Sequence, residues 1–541
     1  RSAPPGTLAR PPPISCKASC MAGATDGGGH PPVTGASVAA FIFPKSVGHL
    51  NPSLALARQL VKNRWEVHYI NDENHREAIE HAGATFHAFD GVGDARLRRE
   101  MGGSFARLQT ECRQPDMPYW WTRYVVGYYA SEMCFLPLLV AWLRTVKPDL
   151  VVYCPQEFVC GHWAAQHLGI RSVSLSVVAG PGAVEEGKGR GLAQLGVTWE
   201  KAAQACADSP WNRRAMEELE GHYGIKLTRT PWEKPVEFDN YAKENIVTAT
   251  AEFALRGEAF EAFKLARKRF VFVGALLDLP GAKRCSWDCN GRLDGGELHM
   301  EAQPQLHRLR SDVGKELPLR IAVRAKQATR RIIYVSMGPS LTCRWWHRRL
   351  SCGRSHSPVM GRDLCKAVYQ AVFDAVGDFE AVDEVDSVVA AWAHPDSPPL
   401  IVVDVGPQSD ALAGLRVPGN ALCRTAVPQA ELLGLQPALF VTHGGQHALI
   451  EGMQAGVPLV ICSPMKDPPL ITDMVVTSGV GVKVPSLGSA GGGALAAYLA
   501  GVRGAVLEAL GKPRYAACAL EVSQKMKKTG GVEAAVRLIC G

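Results

Sequence analysis

Apolar and polar positions fall into two series along this chain, each made of short β-branched runs separated by segments with helical spacing. In the first series SVAAFIF (37–43) predicts a strand, after which Asn51 predicts a helix cap with Pro52 at the first helical position. WEVHYI (65–70) predicts a second strand, followed by a helix over 75–82 and a third strand at TFHAF. DLVVYC (149–154) and SVSLSVV (172–178) flank a helical stretch, as strands of a parallel sheet do, and NIVTAT and FVFVG close the series near Gly274. Periodicity is lost over 279–330, which predicts an interdomain linker. RIIYVSMG (331–338) opens the second series, an irregular loop follows from Pro339 to about Leu364, and LIVVDVG, ALC, ALFVTH and LVICS supply further strands. A last amphipathic helix is predicted over 515–540, packing across a domain face. The fold class is therefore α/β: one Rossmann-like domain over 37–278, a second over 331–514, and a terminal helix within 515–541.

Length supports this division, because 541 residues exceed what one core organises. With 47% hydrophobic and 21% charged residues the composition is that of a folded globular chain. A net charge of +7 mildly favours anionic ligands, and no basic block is long enough to predict nucleic-acid binding. The densest basic stretch, RWWHRRLSCGR (344–354), reads as a solvated loop. Cysteines are dispersed; Cys154, Cys423 and Cys462 fall in or beside apolar runs, where the thiol packs as a small hydrophobe. The C-x3-C pairs Cys16/Cys20 and Cys285/Cys289 lack partners that would complete a zinc site. No transmembrane segment is predicted, since CFLPLLVAWL (134–143) is half the length of a span and Arg144 follows it. Residues 1–36, rich in Pro, Gly, Ser and Ala with Asp26 as their only acidic residue, read as disordered, with an organelle transit segment as the alternative. The chain begins with Arg, and Met21 is a candidate native start. A reducing, cytoplasmic compartment is expected.

Two strand–loop–helix units carry candidate chemistry. FIFPKSVGHLNPSLALARQL (41–60) places His49 in a glycine-containing turn before a predicted helix, and FVTHGGQHALIEGMQAGVPLVICSPMKD (440–467) does the same with His443, Gly444 and Gly445. Such units set ligands at the carboxyl ends of strands. Glycines admit a ligand close to the backbone, and unpaired amides of a first helical turn favour an anion. A glycine-rich connection with a capping histidine would leave the same triplet. The positive end of a helix disfavours imidazolium, which would keep His49 neutral and competent as a base. The tract PYWWTRYVVGYYASEM holds Trp121, Tyr124, Val125 and Tyr128 at helical spacing. Such a stripe is a core face or, with Trp120, Trp121 and Tyr124 exposed, the wall of an acceptor pocket.

The longer string VPQAELLGLQPALFVTHGGQHALIEGMQAGVPLVICSPMKD resembles the donor-binding signature of the family 1 glycosyltransferases, the UDP-glycosyltransferases. The shared order is Pro428-Gln429, His443 to Gly445, Glu451, Gly456 to Pro458 and Asp467. FIFPKSVGHLNPSLALARQL is similar to the amino-terminal signature of the same family, nearest its macrolide-glycosyltransferase-like branch. KPDLVVY, RFVFVG and IIYVSMG follow in the family's order, so the resemblance spans about 37–541 apart from the linker and the loop after Pro339. It implies a GT-B fold, two Rossmann-like domains whose parallel sheets face across a cleft. The implied activity is inverting transfer of a sugar from a UDP-sugar, UDP-glucose by default, to a hydroxyl of a small lipophilic acceptor. His49 would be the general base. His443, Gly444 and Gly445 would hold the departing diphosphate, Gln429 the uracil, Glu451 the ribose and Asp467 the sugar hydroxyls, with Gly338, Val427 and His447 completing the donor site. No cofactor beyond the UDP-sugar co-substrate is implied, and with no D-x-D motif in the chain nothing points to a metal.

Several positions depart from the family. The aspartate that partners the base is Cys154 here, with Glu157 as a stand-in. The usual Asn-Ser is His447-Ala448, the amide after the acidic sugar contact is Pro468, Pro339 replaces Ser or Thr, and Ala426 stands where plant members carry a base-stacking tryptophan. Each buried hydrogen bond lost costs about 1–3 kcal/mol, so the alternative is a degenerate GT-B protein that binds a nucleotide or lipophile without chemistry. A third possibility is a GT-B epimerase or hydrolase acting on the nucleotide sugar alone.

Overall fold

The computed structural model describes residues 36–93, 119–251, 258–277, 331–352, 355–379, 398–463, 470–485 and 494–541, with parts of 94–118 and 322–327. The expected leader before Ala36, nearly all of the expected linker, the pairs Cys16/Cys20 and Cys285/Cys289, and Asp467 with Pro468 lie outside the described residues.

The first series folds into seven parallel strands: β1 (Val38–Ile42), β2 (Glu66–Asn71), β3 (Thr85–Ala88), β4 (Leu150–Tyr153), β5 (Arg171–Ser176), β6 (Glu244–Val247) and β7 (Arg269–Phe272). Their spatial order is β3-β2-β1-β4-β5-β6-β7. The second series gives β8 (Ile332–Ser336), an antiparallel hairpin of β9 (Arg349–Cys352) and β10 (Ser355–Met360), then β11 (Leu400–Asp404), β12 (Ala421–Arg424), β13 (Leu439–Thr442), β14 (Leu459–Ile461) and β15 (Gly481–Lys483). Its main sheet is parallel in the order β12-β11-β8-β13-β14-β15. In both sheets the chain reverses direction beside its first strand, between β1 and β4 and between β8 and β13. The loops on either side of such a switch point diverge and leave a crevice at the carboxyl edge. Central strands LVVY, IIYVS and LFVT are buried at every position, as strands covered by helices on both faces must be.

The helices that matter to the site are α1 (Val47–Lys62), α2 (Pro181–Leu195), α3 (Gly361–Val376), α4 (Gln446–Ala455), α5 (Leu470–Thr477), α6 (Arg514–Lys527) and α7 (Gly531–Cys540). Three sequence expectations need correction. Asn51 is not a cap: Ser46, extended at φ −68° and ψ 124°, precedes the helix, its carbonyl accepts the amides of His49 and Leu50, and Pro52 sits inside α1. The single last helix is two, broken where Gly530 and Gly531 take φ of +88° and +51°. The loop after Pro339 is a π-turn over Ser340–Arg344, the β9–β10 hairpin and then α3. Trp346 anchors it, fully buried with Nε1 donating to Asp410 Oδ1 at 2.9 Å, while Arg344, His347, Arg348 and Arg349 stay in solvent.

Among the described residues no single helix is long and apolar enough to cross a membrane. One pair, Tyr119–Val126 with Tyr128–Val146, passes only when taken together, bent by 81°. Its apolar residues, including Leu136, Leu139, Trp142 and Leu143, belong to the core under β1 and β4.

Candidate active site

β1 and β4 run side by side with Ile42 opposite Tyr153, so the loops leaving them rise together at the carboxyl edge. After Ile42 the chain turns into α1, in which His49 is the third residue. After Tyr153 the ladder continues for one more residue, Cys154 N donating to Ile42 O at 3.2 Å. The result is a direct contact, His49 Nδ1 to Cys154 Sγ at 3.1 Å. Cys154 is fully buried, and burial holds its thiol well above the ordinary range. The Glu157 carboxylate pushes the same way, while the amides of Gln156 and Glu157 partly offset both. At neutral pH the group beside the imidazole is an uncharged thiol, so Cys154 is more than the small hydrophobe its apolar setting suggests. Gly48, next to the imidazole, opens onto free space: a side-chain carbon there would meet nothing within 4 Å.

Glu157, expected as the stand-in partner, is engaged elsewhere. It accepts from Arg123 Nη2 at 2.8 Å and from Tyr124 OH at 2.9 Å, because the guanidinium offers it a charged partner and the thiol already faces Nδ1. The aromatic tract divides accordingly. Trp121, Val125 and Tyr128 are core; Tyr124 and Trp120 are half-buried, and Trp120 stacks on Trp232 at 6.1 Å against the bare Cα of Gly191 in α2. Behind this wall Glu132 is buried, raised to about 7 by burial and held by Cys160 N at 3.0 Å.

At the second switch point β13 delivers His443 to a turn in which Gly444 takes φ +86°, and α4 begins one residue after Gly445. Gly338, at φ +69° after β8, is required by contact: a side-chain carbon there would lie 2.2 Å from His443 Cε1. Burial lowers the His443 ring to about 4, so it is neutral at pH 7, and its Nδ1 is buried with no partner among the described residues. One turn into α4, Glu451 is 1% exposed and spans two neighbours. Gln429 Nε2 donates to its Oε2 at 2.6 Å and His447 Nε2 lies 2.8 Å from its Oε1. Val427 and Ala426 are buried at the mouth of the preceding loop. The expected donor residues therefore converge on one carboxyl edge, apart from Asp467, which lies outside the described residues.

Sequence reasoning missed the residues that join the two edges. Gln446, first residue of α4, donates Nε2 to Val177 O at 2.8 Å, one residue past β5. Arg190 of α2 reaches Asp473 of α5 at 3.4 Å, and Lys483 meets the same carboxylate at 3.2 Å. It also missed Asp404, the carboxyl-terminal residue of β11. A charged residue closing an apolar strand run was the signal for Asp404; the side-chain contacts across the cleft left none.

The comparisons agree with this geometry. The family model described as UDP-glucoronosyl and UDP-glucosyl transferase matches residues 416–495. NDP-glycosyltransferase YjiC of Bacillus subtilis (strain 168) is 37% identical over 93 residues, which span 17% of this chain and 24% of that protein's length. The uncharacterized UDP-glucosyltransferase YdhE of the same organism is 22% identical over 435 residues, 79% of this chain and 80% of the relative. Among solved structures, the glycotransferase of kitacinnamycin superposes with a TM-score of 0.55 at 20% identity, covering 94% of this chain and 99% of that one. The two facing α/β domains with their parallel sheets define a GT-B protein. Within that class, residues 416–495 are similar to the UDP-glucoronosyl and UDP-glucosyl transferase family.

Proposed function

We propose that this protein transfers a sugar from a UDP-sugar, UDP-glucose by default, to a hydroxyl of a small lipophilic acceptor, with inversion. His49 accepts the hydroxyl proton as the oxygen attacks the anomeric carbon. The bond from that carbon to the diphosphate breaks, and its electron pair leaves on the β-phosphate oxygen. Amides at the start of α4, with one N–H from the neutral His443 ring, meet the charge that develops there. Glu451 and Gln429 take the ribose and base, and Trp120 with Tyr124 borders the acceptor. The carrying observation is the Gln446–Val177 bond, which seats the amino end of α4 against the carboxyl edge of the sheet that bears His49.

The test is turnover of UDP-glucose against a mixed phenolic and macrolide acceptor pool, read by mass spectrometry. His49→Ala is expected to abolish transfer and leave UDP affinity within about twofold, since the imidazole acts on the acceptor. Unchanged turnover in that variant removes His49 as base. A second reading, a nucleotide-binding protein without chemistry, is favoured by the uncharged thiol at His49. UDP binding by calorimetry with no transfer across the pool would establish it, and UDP release without any acceptor would point to a hydrolase or epimerase.

A further inference from the structure

A base that works through Nε2 must carry its resting proton on Nδ1, and the resulting imidazolium gains from whatever accepts that proton. The socket that faces His49 Nδ1 is rich in donors. The amides of Gln156 and Glu157 both approach Cys154 Sγ, and the ring nitrogen lies 3.1 Å from the same atom. Two backbone donors and a ring nitrogen meeting at one side chain describe a position suited to a strong acceptor, yet a thiol fills it, and sulfur is a weak one. Among the described residues no carboxylate replaces it: Glu157 is bonded to Arg123 and Tyr124, and Glu132 is bonded to Cys160. These two acids, with the Arg123 cation and the Tyr124 hydroxyl, are the titratable groups that the loop after β4 and the aromatic tract bring toward this contact.

We propose that Cys154 is a positioning residue for His49, its sulfur accepting the Nδ1–H bond and so holding the ring in the base-competent tautomer without stabilising the imidazolium. The role is half of what an acid at this position performs: orientation without charge. Proton transfer from the acceptor therefore proceeds against an uncompensated cation, and this step limits kcat. The inference rests on the proposed reading of His49 as the base only for its kinetic arm.

The test has a spectroscopic arm and a kinetic arm. Nitrogen-15 spectra of histidine-labelled protein, with the His49 signals assigned by loss in His49→Gln, report tautomer and titration directly. The full chain is expected to show the neutral ring protonated on Nδ1. Cys154→Ala should shift it toward the Nε2–H form that free imidazole prefers. Cys154→Asp should keep the Nδ1–H form and raise the ring's midpoint by about one pH unit or more. In the kinetic arm Cys154→Asp raises kcat by about tenfold or more with donor KM unchanged, and the acid limb of the profile moves to higher pH with the ring. An Nε2–H ring in the unsubstituted protein, or a tautomer indifferent to Cys154→Ala, overturns the proposal. Spectra that behave as expected in a protein that transfers no sugar would instead overturn the proposed function and leave this inference standing. Cys154→Ser, which keeps size and loses little packing, distinguishes a folding defect from the loss of an acceptor: its ring should remain Nδ1–H.

Discussion

Asp404 shows how far a single side chain at the edge of the donor sheet departs from its solution behaviour. Its carboxyl group accepts the amide of Gly406 at 3.2 Å and the Ser336 hydroxyl at 3.4 Å, yet burial raises its pKa to about 7. Those two bonds favour the carboxylate; desolvation outweighs them. The sign follows by linkage. An acid whose folded pKa exceeds its unfolded value favours the fold when protonated, so the advantage is complete below about pH 4 and is lost as pH rises through about 7. Asp404→Asn, which cannot ionise and keeps an oxygen for Gly406, should therefore stabilise the protein by about 1–3 kcal/mol at pH 8 and by little near pH 4. Urea unfolding at the two pH values measures it, and equal effects at both would show that the carboxyl titrates normally.

At the scale of elements, the strands of the two main sheets other than the short β15 were legible, in their order of appearance, because those sheets are parallel and buried. Continuous β-branched runs such as LVVY, IIYVS and LFVT carry that signal. Helix starts were less legible. Pro52 marks a first helical position in most contexts, but here a full turn precedes it, since an extended Ser46 and a side-chain-free Gly48 let the helix begin at Val47. The proposed donor residues His443 to Glu451 could be read as a set because their spacing on one loop and one helix is local. What Glu157 touches could not be read, because its partners Arg123 and Tyr124 arrive from a distant element. The turn after β8 is the element most open to test. Gly338→Ala should strain a backbone at φ +69° and also strike the His443 ring, lowering UDP affinity by about tenfold or more in calorimetry. Gly414→Ala is the control, with φ +80° and nothing within 4 Å, and should cost stability alone. Equal UDP affinity in both variants would show that the His443–Gly338 contact does not shape the donor site.

For the molecule as a whole, the end of the chain returns to the first domain. α7 leaves α6 at the Gly530–Gly531 break, and Val532, Ala535, Val536, Leu538 and Ile539 join the core formed by β1, β4 and α1. Arg171, at the start of β5, fixes the last turn by donating to Ile539 O at 2.6 Å and Leu538 O at 3.0 Å. Gln454 of α4 accepts from Ala275 N at 2.8 Å nearby, so the helix proposed to carry the donor site is also tied to the segment leaving β7. The carboxyl-terminal helix is therefore part of the amino-terminal core. Removing residues 531–541 withdraws five apolar side chains from that core, each contributing up to about 1.5–3 kcal/mol, a sum comparable to the whole stability of an ordinary domain. The truncated chain is expected to lose cooperative unfolding of the first domain, while Leu538→Ala should cost about 2–4 kcal/mol and leave the fold intact. Arg171→Met, which keeps the stem and drops the two carbonyl bonds, should fall between the full chain and the truncation. Thermal unfolding followed by near-ultraviolet circular dichroism measures all three. If the truncated chain melted as the full one does, α7 would be an appendage, and the coupling of the two lobes would have to rest on contacts such as those of Gln446, Arg190 and Gln454.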